Sequence, residues 1–296
     1  MLPAKVAIRA GLVACLLLAG SARAGLVERS VEVPIRLTWT AHPETWHRMT
    51  VAITYDDRAT RQPFALLLHG RPVDPQQFRR MGIQTYPANA RWLAQQGFVV
   101  LVPTRIGYGQ TGGPDVEFAG PCRAKDYRLS VAALREETRQ LLTYWQDPAG
   151  RDHLPPIDPD HGMVLGESFG ALGALAVADG SVRGVDAVVN VAGGDGGDFT
   201  QPDRPCAPEA VAELMQVLGH QARRRSLWLY SQNDHLWGAQ WPARWFARYT
   251  SAGGPARFAA LPPAPGNGHF VFNRRPLFWQ ALVQGFLQEQ GLLPVR

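Results

Sequence analysis

The chain alternates between short runs of continuously apolar residues and longer segments of helical character. The apolar runs are 64–70, 98–105, 162–168, 185–193 and 226–231. Runs of this kind are typical of strands buried on both faces of a parallel sheet. The helical segments lie between and after them, at 89–96, 127–147, 169–179, 208–223 and 276–291. The alternation predicts an α/β fold with a mainly parallel β-sheet and helices on both of its faces.

Two segments near the amino end differ from these runs. Residues 31–39 and 48–56 are rich in β-branched side chains, and the second segment alternates apolar and polar positions. This pattern favours outer strands of the sheet. Further along the chain, Gly- and Pro-rich segments follow the apolar runs, at 107–115, 193–198 and 262–268. Open parallel sheets bind ligands beyond the carboxyl ends of their strands, so we expect a functional site at that end.

Residues 1–24 have the organisation of a secretory signal peptide. Lys5 and Arg9 precede an apolar run at 11–20, and Ala-Arg-Ala at 22–24 supplies a cleavage pattern of small residues. Ten apolar residues are too few to cross a hydrocarbon layer of roughly 30 Å as a stable anchor. We therefore predict a periplasmic or secreted protein without a stable membrane anchor, and an uncleaved anchor is the alternative.

The remaining chain, 25–296, has the composition of one domain with a large core. The full sequence is 46% hydrophobic and 19% charged, which argues against a disordered or fibrous protein. Removal of the signal takes away three basic residues and no acids, so the formal charge falls from +5 to +2. The basic run at 223–225 has no interleaved aromatic residues, and no nucleic-acid partner is expected.

Two cysteines, Cys122 and Cys206, remain in the mature chain, and both lie in proline-flanked segments. In an oxidising compartment such a pair most simply forms a disulfide. Two free thiols or a catalytic cysteine are the alternatives, but no C-x-x-C pattern or adjacent histidine supports them.

The strongest chemical signal is Gly-Glu-Ser-Phe-Gly at 166–170, between an apolar run and an Ala-rich helix. Glycines on both sides of Ser168 permit a sharp strand-to-helix turn that exposes the hydroxyl group. Serine becomes a nucleophile only with a base to remove its proton and donors for the oxyanion. The amino end of the following helix points partial positive charge at that position. An inert serine in a plain turn is the alternative.

With this motif the chain resembles the α/β-hydrolase family over nearly all of its mature part. In that family an acid follows a later strand and a histidine comes last. The resemblance therefore implies a triad of Ser168, Asp234 and His269, where Asp234 follows the run 226–231 and His269 lies in a Gly-rich segment. The short segment between 193 and 226 implies that the fold has no large lid.

The resemblance also assigns the oxyanion hole. The family has a His-Gly pair after an early strand, here His69 and Gly70, and the next residue offers its backbone N–H to the oxyanion. That residue is Arg71, since the proline that follows it has no N–H to donate. Phe169, next after the nucleophile, is the second donor. His69 itself is expected to brace the loop.

Several assignments have alternatives. His235 competes with His269 as the base, and Asp195 and Asp198 compete with Asp234 as the acid. Their segment at 193–198 also resembles a calcium loop, but it lacks the ligand spacing and closing glutamate of one. No zinc motif is present. We therefore expect neither a metal nor an external cofactor.

Contacts with substrate are expected from Arg105, Tyr108 and Trp237. The first two follow a predicted strand at the active end of the sheet. Trp237 begins a series with Trp241 and Trp245, whose spacing of four is typical of one helix face. This face could pack in the core or form an aromatic wall beside the site. Glu167, beside the nucleophile, is expected to be buried and to pair with an arginine such as Arg105.

These features predict a serine hydrolase that cleaves small carboxylic esters through an acyl-enzyme on Ser168. Within the family, the arrangement resembles dienelactone-hydrolase-like and prolyl-oligopeptidase-like members. The serine differs from the cysteine nucleophile of true dienelactone hydrolases, and there is no propeller domain. The alternatives are a peptidase or amidase, an acyltransferase, and a non-catalytic binding protein on the same scaffold. A dehalogenase is disfavoured because that branch has an aspartate in place of Ser168.

Overall fold

A computed structural model describes residues 25–37, 45–147, 155 and 157–294. The predicted signal peptide lies outside the described residues. The strands are β1 Leu26–Leu37, β2 Thr45–Asp56, β3 Gln62–Leu68, β4 Val99–Thr104, β5 Ile157–Glu167, β6 Val185–Val191, β7 Arg225–Ser231 and β8 Ala256–Leu261. They form one sheet in the order β1-β2-β4-β3-β5-β6-β7-β8.

The sheet is mainly parallel, as predicted. Strands β1 and β2 pair with each other in antiparallel fashion, and β2 pairs antiparallel with β4. All other neighbours pair in parallel. Each of the five apolar runs contains one of the strands β3 to β7, although β5 begins earlier than predicted, at Ile157. The carboxyl ends of β3 to β8 therefore meet at one edge of the sheet.

Helices cover both faces of the sheet. They are α1 Pro87–Gln95, α2 Arg128–Gln146, α3 Phe169–Ala176, α4 Pro208–Gln221, α5 Gln240–Ser251, α6 Val271–Arg274 and α7 Gln280–Glu289. Short 3-10 helices occur at Pro75–Arg80, Cys122–Ala124, Gly268–Phe270 and Pro276–Phe278. None of the helices in the described part of the chain has the length and hydrophobicity needed to cross a bilayer.

Two hydrophobic cores lie on opposite faces of the sheet, because successive side chains of a strand point in opposite directions. In β3, Phe64, Leu66 and Leu68 belong to one core and Ala65 and Leu67 to the other. The first core also contains side chains of α2, α3, α4 and α5, and the second contains side chains of α1, α6 and α7. A strand buried on both faces has no polar face, which explains the continuous apolar runs in the sequence.

The sequence pattern did not predict strand β8, helix α5 or the single-turn helix α6. Strand β8 lies at the edge of the sheet, and of its residues only Leu261 is fully buried. Helix α5 buries Pro242, Trp245 and Tyr249 on one face. Trp237 precedes this helix, so the three tryptophans do not share one helix face, but Trp237 and Trp245 pack against each other in the first core, which was one of the two alternatives.

The segment between β6 and β7 contains α4, which packs against α5 on the first core. It therefore covers the sheet and does not form a large lid. The predicted disulfide is present and joins Cys122 to Cys206, with their Cα atoms 5.5 Å apart. It ties the segment after β4 to the segment after β6.

Candidate active site

Ser168 occupies a strained turn between β5 and α3. Its backbone has φ 54° and ψ −124°, a conformation that few non-glycine residues adopt and that costs of order 1–3 kcal/mol. Hydrogen bonds hold the turn: the Ser168 N–H donates to the Val191 carbonyl at 2.9 Å, and the Ala171 N–H donates to the Ser168 carbonyl at 3.0 Å. Backbone strain of this kind is found where the surrounding structure imposes it, often at functional sites.

Both glycines of the motif are required by the close packing of this turn. A Cβ atom on Gly166 would overlap the backbone of Gly170 and Ala171. A Cβ atom on Gly170 would overlap the carbonyl groups of Leu68 and His69 at the end of β3. The turn therefore packs directly against the end of β3. This close packing is expected for a serine that sits on a sharp turn at the edge of the sheet.

Asp234 and His269 are hydrogen-bonded, with His269 Nδ1 3.0 Å from Asp234 Oδ2. Both side chains are buried. Asp234 Oδ1 accepts hydrogen bonds from the N–H groups of Leu236 at 2.9 Å and Trp237 at 3.3 Å. The Asn267 side chain accepts from the His269 N–H at 2.9 Å. Both loops are thus fixed around the acid–histidine pair.

The electrostatics of this pair favour a basic imidazole. Burial alone would lower the pKa of His269, but the Asp234 carboxylate outweighs it and the pKa is raised above the ordinary value of 6.5. Glu167 contributes to the increase in the pKa. When Nδ1–H is donated to Asp234, the Nε2 atom is left with the lone pair that can accept a proton.

The candidate nucleophile lies near this pair without a hydrogen bond to it. Among the described residues, no hydrogen bond joins Ser168 Oγ to the His269 ring. Trp237 lies next to both residues. Its ring packs edge-on against the His269 ring, with the ring centres 5.2 Å apart, and it lines the same cleft as Ser168. Hydrogen bonds between a nucleophile and its base are often long without substrate and shorten when substrate binds.

Arg71 and Phe169, the residues expected to form the oxyanion hole, both line the cleft beside Ser168. A Cβ atom on Gly70 would lie 3.2 Å from the Ser168 Cβ, so the backbone just before Arg71 touches the candidate nucleophile. Phe169 is the first residue of α3, and its N–H has no acceptor within the helix. Both residues therefore lie in the cleft beside the candidate nucleophile.

No family model and no curated protein matches the sequence. Solved structures match the fold. A protein from Thermoplasma acidophilum described as a CIB-like hydrolase has a TM-score of 0.53 and 15% identity, covering 88% of this chain and 100% of that one. A Klebsiella pneumoniae protein described as a dienelactone hydrolase has a TM-score of 0.56 and 14% identity, covering 90% and 99%. The chain has the α/β-hydrolase fold.

Other solved structures with the α/β-hydrolase fold match over a similar part of the chain. An acetyl xylan esterase from Paenibacillus sp. R4 has a TM-score of 0.54 and 14% identity, with 89% of each chain covered. An acylaminoacyl peptidase from Pyrococcus horikoshii has a TM-score of 0.54 and 10% identity. The match covers 88% of this chain and 41% of the peptidase. At these identities the likeness establishes the fold.

His69 braces the loop after β3 of this α/β-hydrolase fold. Its Nδ1 lies 2.7 Å from the Gly70 carbonyl, and its Nε2 accepts a hydrogen bond from the Arg105 N–H at 3.2 Å. This pattern places the proton on Nδ1. Burial and the Arg105 charge lower the pKa of His69 well below 6.5, so the ring stays neutral and holds the loop.

Arg105 and Tyr108, expected to contact substrate, are not part of the cleft lining. Both are 1% exposed. The Arg105 guanidinium pairs with Glu117, and the Tyr108 hydroxyl donates to the same carboxylate. The expectation is wrong because Glu117, twelve residues after Arg105, draws both side chains inward. Glu117 could not be identified from its sequence pattern, since its position depends on how the loop after β4 folds.

Glu167 is buried as expected, but its partners differ from the arginine that was expected. Its carboxylate accepts hydrogen bonds from the Tyr86 hydroxyl at 2.7 Å and the Asn273 side chain at 3.4 Å. Burial raises the pKa of Glu167, although the Tyr86 hydrogen bond and the nearby His269 oppose the increase. No local pattern predicts these partners, because Tyr86 and Asn273 come from segments far from Glu167 in the chain.

The competing acids and histidine have other partners. Asp195 accepts from Lys125 Nζ at 2.7 Å and from the Tyr127 hydroxyl at 3.0 Å. Asp198 caps the turn at Thr200. His235 lies 3.5 Å from Asp203 on the surface. These contacts are separate from the Asp234–His269 pair. Among the described residues, no group of three or more His, Cys, Asp or Glu side chains is arranged to hold a metal ion.

The cleft beside Ser168 has a volume of about 520 Å³. Its walls come from the segments after β3, β4, β6 and β7. The lining residues already described are Arg71, Lys125, Ser168, Phe169, Asp195, Asp198, Cys206 and Trp237, and Asp115 also lines the cleft. Phe118, which is 61% exposed, adds an apolar surface. A cleft of this size suits a small molecule.

Proposed function

We propose that this protein is a serine hydrolase that cleaves small carboxylic esters through an acyl-enzyme on Ser168. The observation that carries the proposal is the strained backbone of Ser168, held in a cleft beside the buried Asp234–His269 pair. A turn that costs free energy and places one serine in a cleft beside a basic imidazole is the arrangement that nucleophilic catalysis needs.

The reaction follows from the groups around Ser168. His269 Nε2 takes the hydroxyl proton as Ser168 Oγ attacks the ester carbonyl carbon. Negative charge on the carbonyl oxygen is stabilised by the N–H groups of Arg71 and Phe169. His269 then gives the proton to the departing alcohol, and the acyl group remains on Ser168. Asp234 holds the imidazole in the required tautomer and stabilises its charged form.

Water completes the cycle. His269 removes a proton from a water molecule as it attacks the acyl-enzyme, and the same proton returns to Ser168 Oγ when the carboxylic acid leaves. In the part of the chain that the structure describes, no large lid covers the cleft at the strand ends, which supports water over an alcohol as the acceptor. An esterase is therefore favoured over an acyltransferase.

A peptidase or amidase is the second candidate, and the structural likeness to an acylaminoacyl peptidase supports it. The same triad and oxyanion hole serve both reactions, since they differ mainly in the leaving group. The esterases among the solved structures with this fold favour an ester substrate.

We also propose export of the mature chain 25–296, supported by the signal-like sequence and the Cys122–Cys206 disulfide.

A panel of p-nitrophenyl esters of increasing acyl length, measured alongside aminoacyl p-nitroanilides, tests the proposal. We expect hydrolysis of the shorter esters, with kcat/KM higher than for the amides. Ser168→Ala should lower kcat by at least about 10³-fold, because the covalent step is lost. Ester hydrolysis that survives in this variant would contradict the proposal, and higher kcat/KM on the amides would favour the peptidase.

A further inference from the structure

Arg71, proposed above as an oxyanion donor through its backbone, has a side chain that is held back against the protein. The side chain is only 13% exposed. Its Nη1 donates to Asp115 Oδ1 at 2.6 Å and its Nη2 donates to Asp115 Oδ2 at 2.6 Å. The guanidinium also lies 4.3 Å from the centre of the Phe78 ring. A bidentate pair of this kind fixes direction as well as distance, which a single contact does not.

Arg105 holds the loop that contains Arg71, residues 69–71, through contacts with His69. The Arg105 guanidinium donates to the His69 carbonyl, and its backbone N–H donates to His69 Nε2. The Tyr108 hydroxyl connects the two arginines, because it accepts from Arg71 Nη1 at 3.2 Å and donates to Glu117, the partner of Arg105. The loop 69–71 is thus held by two arginines, Arg71 within it and Arg105 outside it, and their carboxylate partners Asp115 and Glu117 are two residues apart in the segment after β4.

The loop 69–71 has little intrinsic rigidity, so the Arg71–Asp115 pair, called the clamp below, is needed to hold it. Gly70 has few steric restrictions, so it does not by itself fix the direction of the next peptide unit. The residue after Arg71 is a proline and has no N–H with which to anchor the loop. An oxyanion donor must be held within about 0.5 Å of its productive position. The side chain of Arg71 supplies an anchor on the same residue as the donor N–H.

We propose that Asp115 is a positioning residue for the oxyanion hole. By holding the Arg71 guanidinium, it fixes the Arg71 N–H beside Ser168, where the negative charge develops. The proposal rests on the proposed function. Because the oxyanion forms in the transition state, loss of Asp115 lowers kcat and leaves KM nearly unchanged.

Asp115 is the appropriate residue to change. Its side chain is 36% exposed, whereas the Glu117 side chain is fully buried against Arg105. Removing the buried partner would leave an uncompensated charge in the interior and destabilise the fold. A partly exposed pair contributes modestly to stability, so Asp115→Asn is expected to fold.

The test compares kcat and KM of Asp115→Asn with those of the wild type on p-nitrophenyl acetate. Displacing one oxyanion donor should cost less than the 10²- to 10³-fold that follows its removal, so we expect kcat to fall by about 10- to 100-fold. KM should stay within about twofold. Asp115→Glu keeps a carboxylate and should recover part of the kcat; it also serves if Asp115→Asn fails to fold.

Glu28→Gln is the matched control. Glu28 forms a bidentate pair with Arg91 on the surface, at 2.6 and 3.1 Å, outside the cleft. This variant loses a similar ion pair and should retain the wild-type kcat.

Three results would overturn the proposal. Wild-type kcat in a folded Asp115→Asn variant would show that the clamp has no catalytic effect. If Asp115→Asn changed only KM, and only for negatively charged esters, the Arg71 side chain would be a substrate contact and not an anchor for the loop. A wild type without activity on any ester would contradict the proposed function and this proposal with it, whereas an active wild type with an unaffected variant contradicts only the clamp.

Discussion

At the scale of single residues, the site depends on one unfavourable backbone conformation. Ser168 has positive φ, which glycine adopts readily and other residues do not. The strained conformation is retained at this position because the proposed reaction needs the Ser168 hydroxyl there. The stability of the protein should therefore rise when the strain is relieved, at the expense of activity.

The strain can be measured with two variants that both lack the hydroxyl. We expect Ser168→Gly to have a free energy of unfolding about 1 kcal/mol higher than Ser168→Ala, because glycine relieves strain of 1–3 kcal/mol but loses more chain entropy. Urea unfolding of the two proteins gives the difference. Equal stabilities, or a less stable glycine variant, would argue against a strained turn.

The pH dependence of activity follows from His269. The imidazole must be neutral to accept the serine proton, and its pKa is raised above 6.5 because Asp234 outweighs the effect of burial. As the pH falls through this raised pKa, His269 becomes protonated and kcat/KM declines. We expect the midpoint of the decline above pH 6.5, measured on an uncharged ester by pH-stat titration.

Asp234→Asn provides the control for this profile. Without the carboxylate charge, the pKa of His269 should fall, so the midpoint should move to lower pH. Activity should also drop by about 10⁴-fold, since the imidazole loses its preferred tautomer. A profile whose midpoint stays in place in this variant would mean that a group other than His269 controls the acid limb.

The sequence identified some single residues and not others for a clear physical reason. Ser168 and its flanking glycines are specified by the local turn, and the Asp234–His269 hydrogen bond agrees with their order along the chain. Arg105 and Tyr108 were expected in the cleft because they follow β4. Their burial depends on Glu117, and no local pattern encodes the fold of that loop.

At the scale of elements, the quality of the sequence prediction follows the burial of each strand. Strands β3 to β7 each contain an apolar run because helices cover both faces of the sheet there, and all five runs were predicted, although the polar first part of β5 was not. Strand β8 has one neighbouring strand and mostly half-exposed side chains, so its sequence carries no such run. It was missed.

The disulfide joins two segments that border the cleft. Cys122 and Cys206 are 84 residues apart in the chain, and closing a loop of that length restricts the unfolded state strongly. The double variant Cys122→Ser, Cys206→Ser should therefore lose about 2–4 kcal/mol of unfolding free energy. Guanidinium unfolding measures the loss, and reduction of the wild type should reproduce it. An unchanged midpoint would show that the bridge does not restrain the chain.

At the scale of the whole molecule, the sheet explains how distant residues meet. Ser168 follows β5, Asp234 follows β7 and His269 follows β8, and parallel strands place all of these ends at one edge. The alternating pattern of the sequence was sufficient to predict this architecture. The pairing of Arg71 with Asp115 was not predictable, because it joins the loops after β3 and β4 through side chains alone.

Ser168 is the proposed nucleophile of this protein, and covalent labelling identifies the nucleophile. A fluorophosphonate probe, followed by peptide mapping with mass spectrometry, locates the modified residue. We expect a single adduct on Ser168 in the wild type, no adduct in Ser168→Ala and much slower labelling in His269→Ala. An adduct on another residue, or undiminished labelling of Ser168→Ala, would contradict the account.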